Sequence, residues 1–379
     1  MSDDSIALEH SARLAALLHQ RIQAQDGIPF SDFMQAALYE PGLGYYSAGA
    51  RKLGRGGDFT TAPEISPLFS RCLARQCAEL LAVLGGDAEL MEFGAGSGAM
   101  AVEILGELAR MDCLPRRYTI IEVSADLRQR QREAIQSREP TLLSRVHWAD
   151  APPRAGFVGV VLANELLDAL PVHRFGLHEG RVMESIVRLR NGALVESFEM
   201  PRTAELVPAV RELGPLPEGY VSEIGLYARG WVRELASFLE RGAVLLVDYG
   251  YPRSTYYHYE RSAGTLMCYY HQQAFEDPFV HLGLQDITAH VDFTAVAEVA
   301  IAAGLSLAGY TNQANFLLAT GLLEMAQSPD PASQIDLASQ IKQLTLPQAM
   351  GERFKAMGLS RGLDLPWSGF ALRDQRGML

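Results

Sequence analysis

The chain has 379 residues, 48% hydrophobic and 21% charged, with a formal net charge of −12; that is length for one large elaborated unit or two smaller ones, and an ordinary globular balance. The acidity argues against binding along a nucleic-acid backbone, and no run approaches the 18 apolar residues of a membrane span. Cys72, Cys77, Cys113 and Cys268 have neither C-x-x-C spacing nor histidines at zinc-ligand distance, so no metal is expected.

The first residues, MSDDSIALEH, lack both the apolar core of a secretory signal and the arginine-rich face of a transit peptide, so a cytoplasmic, bacterial location is expected. Residues 5–25 place Leu8, Leu14, Leu17, Leu18 and Ile22 near helical spacing. A second helix is predicted over 28–39, followed by a turn-rich aromatic stretch. Residues 56–66, GGDFTTAPEIS, are rich in turn and cap formers and precede an apolar helix through Leu84. As function this is a lid over a ligand; as structure it is a loop and a proline-started helix.

Residues 89–98, ELMEFGAGSG, read as a buried strand breaking into a glycine loop that opens a helix over 99–108. Gly94, Gly96 and Gly98 permit a tight turn against a nucleotide-like ligand. The dinucleotide fingerprint G-x-G-x-x-G needs glycine where Ala99 stands. The observed E-x-G-x-G-x-G instead resembles motif I of class I S-adenosylmethionine-dependent methyltransferases, and Glu92 suits the cationic amino-acid part of that cofactor. A plain strand-helix turn is the remaining reading.

Three more strands follow at regular spacing. Residues 118–123 end in Glu122, where doubly wound folds grip a ribose diol, and 146–150 end in Asp150. Residues 157–163 are wholly apolar, as a central parallel strand should be, and run into Asn164, Glu165, Leu166, Leu167 and Asp168. Each acid alone could be a solvated strand end or a helix cap.

Beyond Asp168 the pattern shortens. Extended runs at 172–175, 181–189 and 193–198, punctuated by Glu179-Gly180 and Asn191-Gly192, predict an inserted β module. A helix over 226–241 leads to a fifth strand, 242–247, ending at Asp248 and Tyr249 on the same rim as the other acids. A helix over 293–303 and strands at 306–311 and 315–319 are expected to complete a seven-stranded sheet whose last pair is antiparallel. Helices are predicted again at 334–344 and 351–357. The expected organisation is a helical segment and lid (1–84), the first part of the core (85–170), a substrate-recognition β module (171–225), the second part of the core (226–322) and a helical C-terminal segment (323–379).

GGDFTTAPEIS at 56–66, EFGAGSG at 92–98, NELLDALPV at 164–172, DYGY at 248–251, GTLMCYY at 264–270 and LQDITAHVDF at 284–293 together resemble the MidA family, the mitochondrial complex I assembly methyltransferases and their bacterial relatives. The resemblance implies an α/β class I methyltransferase fold: a Rossmann-like, seven-stranded, mostly parallel sheet with helices on both faces. It also implies S-adenosyl-L-methionine as cofactor and a protein substrate bearing an arginine, the mitochondrial member symmetrically dimethylating a complex I subunit.

By the matching motifs, Gly94, Ala95, Gly96, Ser97 and Gly98 would approach the cofactor, Glu122 with Val123 the ribose, and Asp150 the adenine end. Asn164 and Glu165 would meet the methionine part or the reaction centre, while Thr60, Thr61 and Pro63 would belong to the lid. Glu165 and Asp168 are the natural pair to clamp a guanidinium, Asp248 lies on the same rim, and His290 with Asp292 could relay the proton lost after transfer. Tyr249, Tyr269 and Tyr270 could wall the substrate channel. A small-molecule O- or N-methyltransferase, a non-catalytic assembly protein retaining the fold and, more weakly, a nicotinamide oxidoreductase are the alternatives. The protein could be a monomer or a homodimer.

Overall fold

A computed structural model gives the fold over residues 3–47, 60–327 and 330–379; the first residues of the expected lid, 56–59, lie outside them. Two helices open the chain, α1 (Asp3–Gln25) and α2 (Phe30–Tyr39), and a single turn, α3 (Ala62–Ile65), leads into α4 (Pro67–Leu84). The start of α4 is set locally. Ser66 is its N-cap, accepting the Leu68 N–H at 3.2 Å, Pro67 occupies the first turn, and Gly85 ends the helix at φ +95°.

Seven strands form the central sheet: β1 (Glu89–Phe93), β2 (Tyr118–Ile121), β3 (Val146–Ala149), β4 (Phe157–Asn164), β5 (Leu239–Tyr251), β6 (Ser306–Asn312) and β7 (Phe354–Arg361). Their order is β3-β2-β1-β4-β5-β7-β6. The first five run parallel to their neighbours and β7 is antiparallel to both β5 and β6. A two-residue strand, Val291–Asp292, pairs with the end of β5.

Alternate residues of a strand point to opposite faces, and here both faces are buried. Leu90, Val160, Leu162, Leu245 and Val247 pack with α4 and with α5 (Ala99–Arg110). Met91, Val161, Ala163, Val244 and Leu246 pack on the other face. There they meet α7 (Leu226–Phe238) and α8 (Phe293–Ala302), whereas α6 (Ala125–Arg138) follows β2 and packs beside α5. Burial on both sides of the sheet is why the strand readings of 89–93 and 157–163 hold, the second as a continuous apolar run and the first with Glu92 buried among apolar residues.

Gly159 and Gly242 show how tightly the middle of the sheet is built. A Cβ on Gly159 would stand 1.9 Å from the Glu89 carbonyl oxygen, and one on Gly242 would stand 1.9 Å from that of Gly159. Backbone cannot yield there without separating strands. Gly159→Ala is therefore expected to destabilise the protein by roughly 3 kcal/mol or more, which urea unfolding would measure; an unchanged midpoint would contradict this packing.

The β module consists of His173–His178, Arg181–Arg190 and Ala193–Glu199, joined by Ile28–Pro29 and Val221–Ile224 in a five-stranded sheet. Its two turns have φ of +50° and +68° at Glu179-Gly180 and +52° and +81° at Asn191-Gly192, the left-handed pairs that two-residue hairpins require. Leu14 and Leu18 of α1 and Phe30 and Phe33 of α2 share a core with Val172, Val187, Cys268 and Ile287. The N-terminal helices are thus bound to the module and to a three-stranded sheet of Met267–Tyr270, Gln273–Phe275 and Asp286–Thr288.

Four expectations are corrected. Residues 315–319 are not the final strand but part of α9 (Gln313–Ala319), which Asn312 caps by accepting the Asn315 N–H at 2.9 Å. Residues 351–357 do not form a helix; most of them enter β7, which wedges between β5 and β6. The helix expected over 226–241 stops at Phe238, where β5 begins. Ile28 and Pro29 pair with Val187 and Ile186 as a strand before α2 starts.

Candidate active site

The carboxyl ends of β1, β2, β4 and β5 converge on one rim, where open α/β sheets take ligands. After β1 the chain turns through Gly94, Gly96 and Gly98 at φ of +68°, +51° and +84° into α5. Non-glycine residues rarely adopt those angles. One residue that sequence reasoning missed holds this loop. Gln131 of α6, fully buried, donates from Nε2 to the Gly96 carbonyl at 3.0 Å and to Glu122 Oε2 at 3.3 Å, while its Oε1 accepts the Trp148 indole N–H at 2.9 Å. The loop, the β2 acid and the end of β3 are thereby locked together.

Glu122 is buried at the end of β2, its Oε1 accepting the Ser124 N–H at 2.8 Å. Burial raises its pKa. The next residue, Val123, is 76% exposed, an apolar surface beside a carboxylate that suits a nucleoside. Asp150 is exposed and pairs with Arg128. Across the loop, Ser97 hydrogen-bonds Glu64 of α3, which ties α3 to the glycine loop; Thr61 and Pro63 stand at the start of α3 and Thr60 precedes it, exposed.

Glu92 differs from expectation. Its carboxyl is wholly buried and accepts the Tyr118 hydroxyl at 2.6 Å, and burial pushes its pKa up to about 7. Its Oε1 has no partner among the described residues. Oε1 is therefore the Glu92 atom left to accept from a cationic cofactor, directly or through a bridging group. The left-handed glycines, Val123 beside Glu122 and the unpaired Glu92 oxygen fit S-adenosyl-L-methionine better than a dinucleotide.

Past β4 lies a cluster of carboxyls, Glu165, Asp168 and Asp286. Glu165 has φ +49°, an uncommon value for a residue with a side chain and one that clusters at functional sites. Its N–H donates to the Val247 carbonyl at 2.9 Å, and its Oε1 accepts Asn164 Nδ2 at 3.2 Å and the Ala62 N–H of α3 at 3.4 Å. Burial first, then Asp168, push its pKa up to about 8. Asp168, buried and facing the Tyr249 hydroxyl, is also raised by burial; its Oδ1 and Asn164 Oδ1 have no partner among the described residues. Neither Glu165 nor Asp168 makes an ion pair with a described residue, and burial leads the causes that raise both.

Asp248 has a different task from the one expected. Its Oδ2 accepts the N–H groups of Leu166, Leu167 and Asp168 at 3.2, 2.8 and 3.3 Å, and its Oδ1 that of Tyr249 at 2.9 Å. Those bonds occupy both oxygens, so Asp248 shapes the 165–168 turn and does not meet a substrate.

Asp286 was not singled out from sequence. It is buried, accepts the Tyr46 hydroxyl at 3.0 Å and helps raise Glu165. Tyr39 stacks on Tyr46 with ring centroids 5.4 Å apart and donates its hydroxyl to the Ala169 carbonyl at 3.0 Å. The motif LQDITAHVDF contained Asp286, yet only tertiary contact brings it to the end of β4.

The expected relay is not assembled. Asp292 caps α8 by accepting the Ala295 N–H at 3.1 Å and faces Arg253 at 3.5 Å, so both its oxygens are taken. His290 lies between the rings of Tyr249 and Tyr251, and burial, reinforced by Arg261, pushes its pKa down to about 4, too low for an effective base near neutrality. Of the candidate channel tyrosines, Tyr249 faces Asp168, and Tyr269 feels Asp286 and Arg353. Tyr270, the next residue on the strand, points the other way and stacks on His281 at 4.3 Å.

A seven-stranded sheet with β7 inserted antiparallel, a glycine loop after β1 and an acid ending β2 define a class I methyltransferase. The chain belongs to the family Methyltransf_28, described as S-adenosyl-L-methionine-dependent methyltransferase, which matches residues 72–311. A COG1565 superfamily member from Burkholderia thailandensis, solved bound to S-adenosyl-homocysteine, is 42% identical, with a TM-score of 0.94 over 100% of this chain and 99% of that one. The Drosophila melanogaster protein arginine methyltransferase NDUFAF7 homolog is 28% identical, covering 92% of this chain and 85% of its own length, and human NDUFAF7 is 26% identical over 90% and 82%. The protein is an S-adenosyl-L-methionine-dependent methyltransferase of the MidA family. No described helix is long and apolar enough to cross a membrane, and no group of metal-ligating side chains occurs among the described residues.

Proposed function

We propose that the protein is an arginine N-methyltransferase acting on a partner protein in the cytoplasm. The observation that carries this reading is the pair Glu165 and Asp168, a half-buried and a buried carboxyl on one turn, neither of which makes an ion pair with a described residue. Uncompensated buried carboxyls are costly, and a cationic ligand that enters between them relieves that cost. The names carried by the NDUFAF7 relatives point the same way.

When bound, S-adenosyl-L-methionine supplies an activated methyl group. The glycine loop with Ala95 and Ser97, Glu122, Val123 and Asp150 would hold it, with Asn164 and Glu165 towards its reactive end and Thr60, Thr61 and Pro63 covering it. The chain's remaining work is on the acceptor. A guanidinium is planar and protonated to a pKa above about 12, with its lone pairs delocalised. Glu165 and Asp168 draw its charge towards two nitrogens and fix its plane, leaving the third nitrogen more nucleophilic.

Asp248 holds the turn that presents both carboxyls, and Tyr249 and Tyr269 flank the planar cation. A carboxyl near pKa 8, as at Glu165, is also matched to receive the proton shed by the alkylated nitrogen. The β module and the N-terminal helices joined to it supply the protein-recognition surface.

The reading is tested by supplying the purified protein and tritiated S-adenosylmethionine to bacterial extract. Label in protein that appears as methylarginine on acid hydrolysis is the expected result. Label confined to metabolites would make the acceptor a small molecule.

A further inference from the structure

Beside the acidic pocket, on the flank of β5 and β7, the chain gathers positive charge that the methyl-transfer site does not use. Tyr251 is its centre. The Arg261 guanidinium carbon lies 4.3 Å and Lys355 Nζ 5.8 Å from the ring centroid, and the His290 ring stacks on it at 5.1 Å. Arg353 belongs to the same group: its carbonyl accepts from Lys355 Nζ at 3.5 Å and from the Gly250 N–H at 3.4 Å beside Tyr251, and its charge acts with those of Arg261 and Lys355 on His290.

None of these cations has a carboxylate ion-pair partner among the described residues. Arg261 Nη1 is buried and makes no hydrogen bond, as is His290 Nδ1. Lys355 rests on the carbonyls of Glu352 and Arg353, and the acid that acts on it is the exposed Glu352 of its own loop. In a chain of net charge −12, elsewhere rich in paired arginines, three such cations with the buried, unpaired Arg261 Nη1 among them form a built anion site. Tyr249 connects it to the acceptor pocket, with its ring 5.1 Å from that of His290 and its hydroxyl towards Asp168.

We propose that Arg261, Arg353, Lys355 and His290 form a subsite for a carboxylate side chain of the acceptor protein, about two or three extended residues from the methylated arginine. The inference rests on the arginine reading and deepens it. A guanidinium substrate drawn into a carboxylate pocket and an acidic side chain drawn to the adjoining cations set the direction in which the peptide crosses the rim. Complementary charge of this kind selects partners and register.

The test is calorimetric titration of acetylated glycine peptides into full-length protein saturated with S-adenosylhomocysteine at low salt. The peptides carry one arginine with glutamate or glutamine two residues before or after it. One glutamate peptide is expected to bind at least about tenfold more tightly than its glutamine counterpart, with the difference shrinking as salt rises. In the R261Q/K355Q variant the two should bind alike, with cofactor affinity unchanged. R353E, at an exposed position, gives the same reading where the double variant does not fold.

Equal binding of glutamate and glutamine peptides by the unaltered protein would overturn the proposal. So would loss of S-adenosylhomocysteine binding in R261Q/K355Q, which would make the cofactor's own carboxylate the anion. Exchange of arginine for neutral citrulline separates the two claims: if it weakens neither peptide, the acceptor reading fails while glutamate selectivity can still be read.

Discussion

Glu165→Gln is expected to lower methyl transfer by about 100- to 1000-fold, the range seen when one preorganised electrostatic partner of a reacting group is removed, while the protein remains folded. The amide oxygen of glutamine can still accept from Asn164 and the Ala62 N–H, so the turn and its contact with α3 are kept. What is lost is the negative charge and the proton acceptor. Turnover within about threefold of the unaltered enzyme would remove Glu165 from the clamp and leave Asp168 and Asp286 as the groups to examine.

The same substitution has a signature in pH. Glu165 is pushed up to about 8 from an ordinary 4.5, so between those values the folded protein holds a proton that the unfolded chain has lost. The stability this provides is complete below about 4.5 and is lost as pH rises through about 8. Glu165→Gln removes that loss. In the absence of substrate, its melting temperature should exceed that of the unaltered protein above pH 8, and the gap should close towards pH 5. Activity runs the other way, because the clamp needs the carboxylate: kcat/KM should climb to a plateau above about pH 8, a limb absent from the residual activity of the variant.

How far the sequence reveals these features depends on whether their causes are local. The β1 strand, the glycine loop and the hairpins at Glu179-Gly180 and Asn191-Gly192 are readable because the backbone angles they need are ones that only a few residue types adopt. Glu122 and Glu165 are readable because strand ends on a parallel sheet share a rim. The α9 error had a local remedy: Asn312 standing three residues before Asn315 is a cap signal, but the apolar run 315–319 resembles a strand when taken alone.

The β7 strand had no such remedy. Its place between β5 and β6 is fixed by pairing across more than a hundred residues and by Gly358, where a Cβ would stand 2.7 Å from the Trp367 ring. The acceptor pocket shows the same division. Glu165 and Asp168 come from one motif, whereas Asp286, Tyr39 and Tyr46 arrive from segments that meet only once the N-terminal helices pack against the three-stranded sheet. The tasks of Asp248 and Asp292 are hidden from the sequence for a related reason, since a carboxylate on the right rim can be consumed entirely by backbone N–H groups, a cap or an ion pair.

Gly96→Val is the substitution expected to abolish cofactor binding outright. Gly96 has φ +51°, a left-handed value at which a β-branched side chain costs about 1–2 kcal/mol and meets its own carbonyl. Its carbonyl is also held by Gln131, which holds Glu122, so relaxing the loop displaces Glu122 as well. Both effects fall on the ligand site, while the β1 core beneath it is untouched. The unaltered protein should gain about 2.7 kcal/mol of stability in S-adenosylhomocysteine at 100 times its Kd, visible as a rise in melting temperature. The variant should melt a few degrees lower without ligand and show no rise with it, and calorimetry should detect no binding heat. Gly98→Ala is the informative neighbour. Its Cβ would stand 3.1 Å from Gln131 Cα at φ +84°, straining the α6 contact and the loop together, so it should lose both baseline stability and part of the ligand-induced rise. A Gly96→Val protein that still melted higher with S-adenosylhomocysteine, by the same increment as the unaltered chain, would place the cofactor away from this loop.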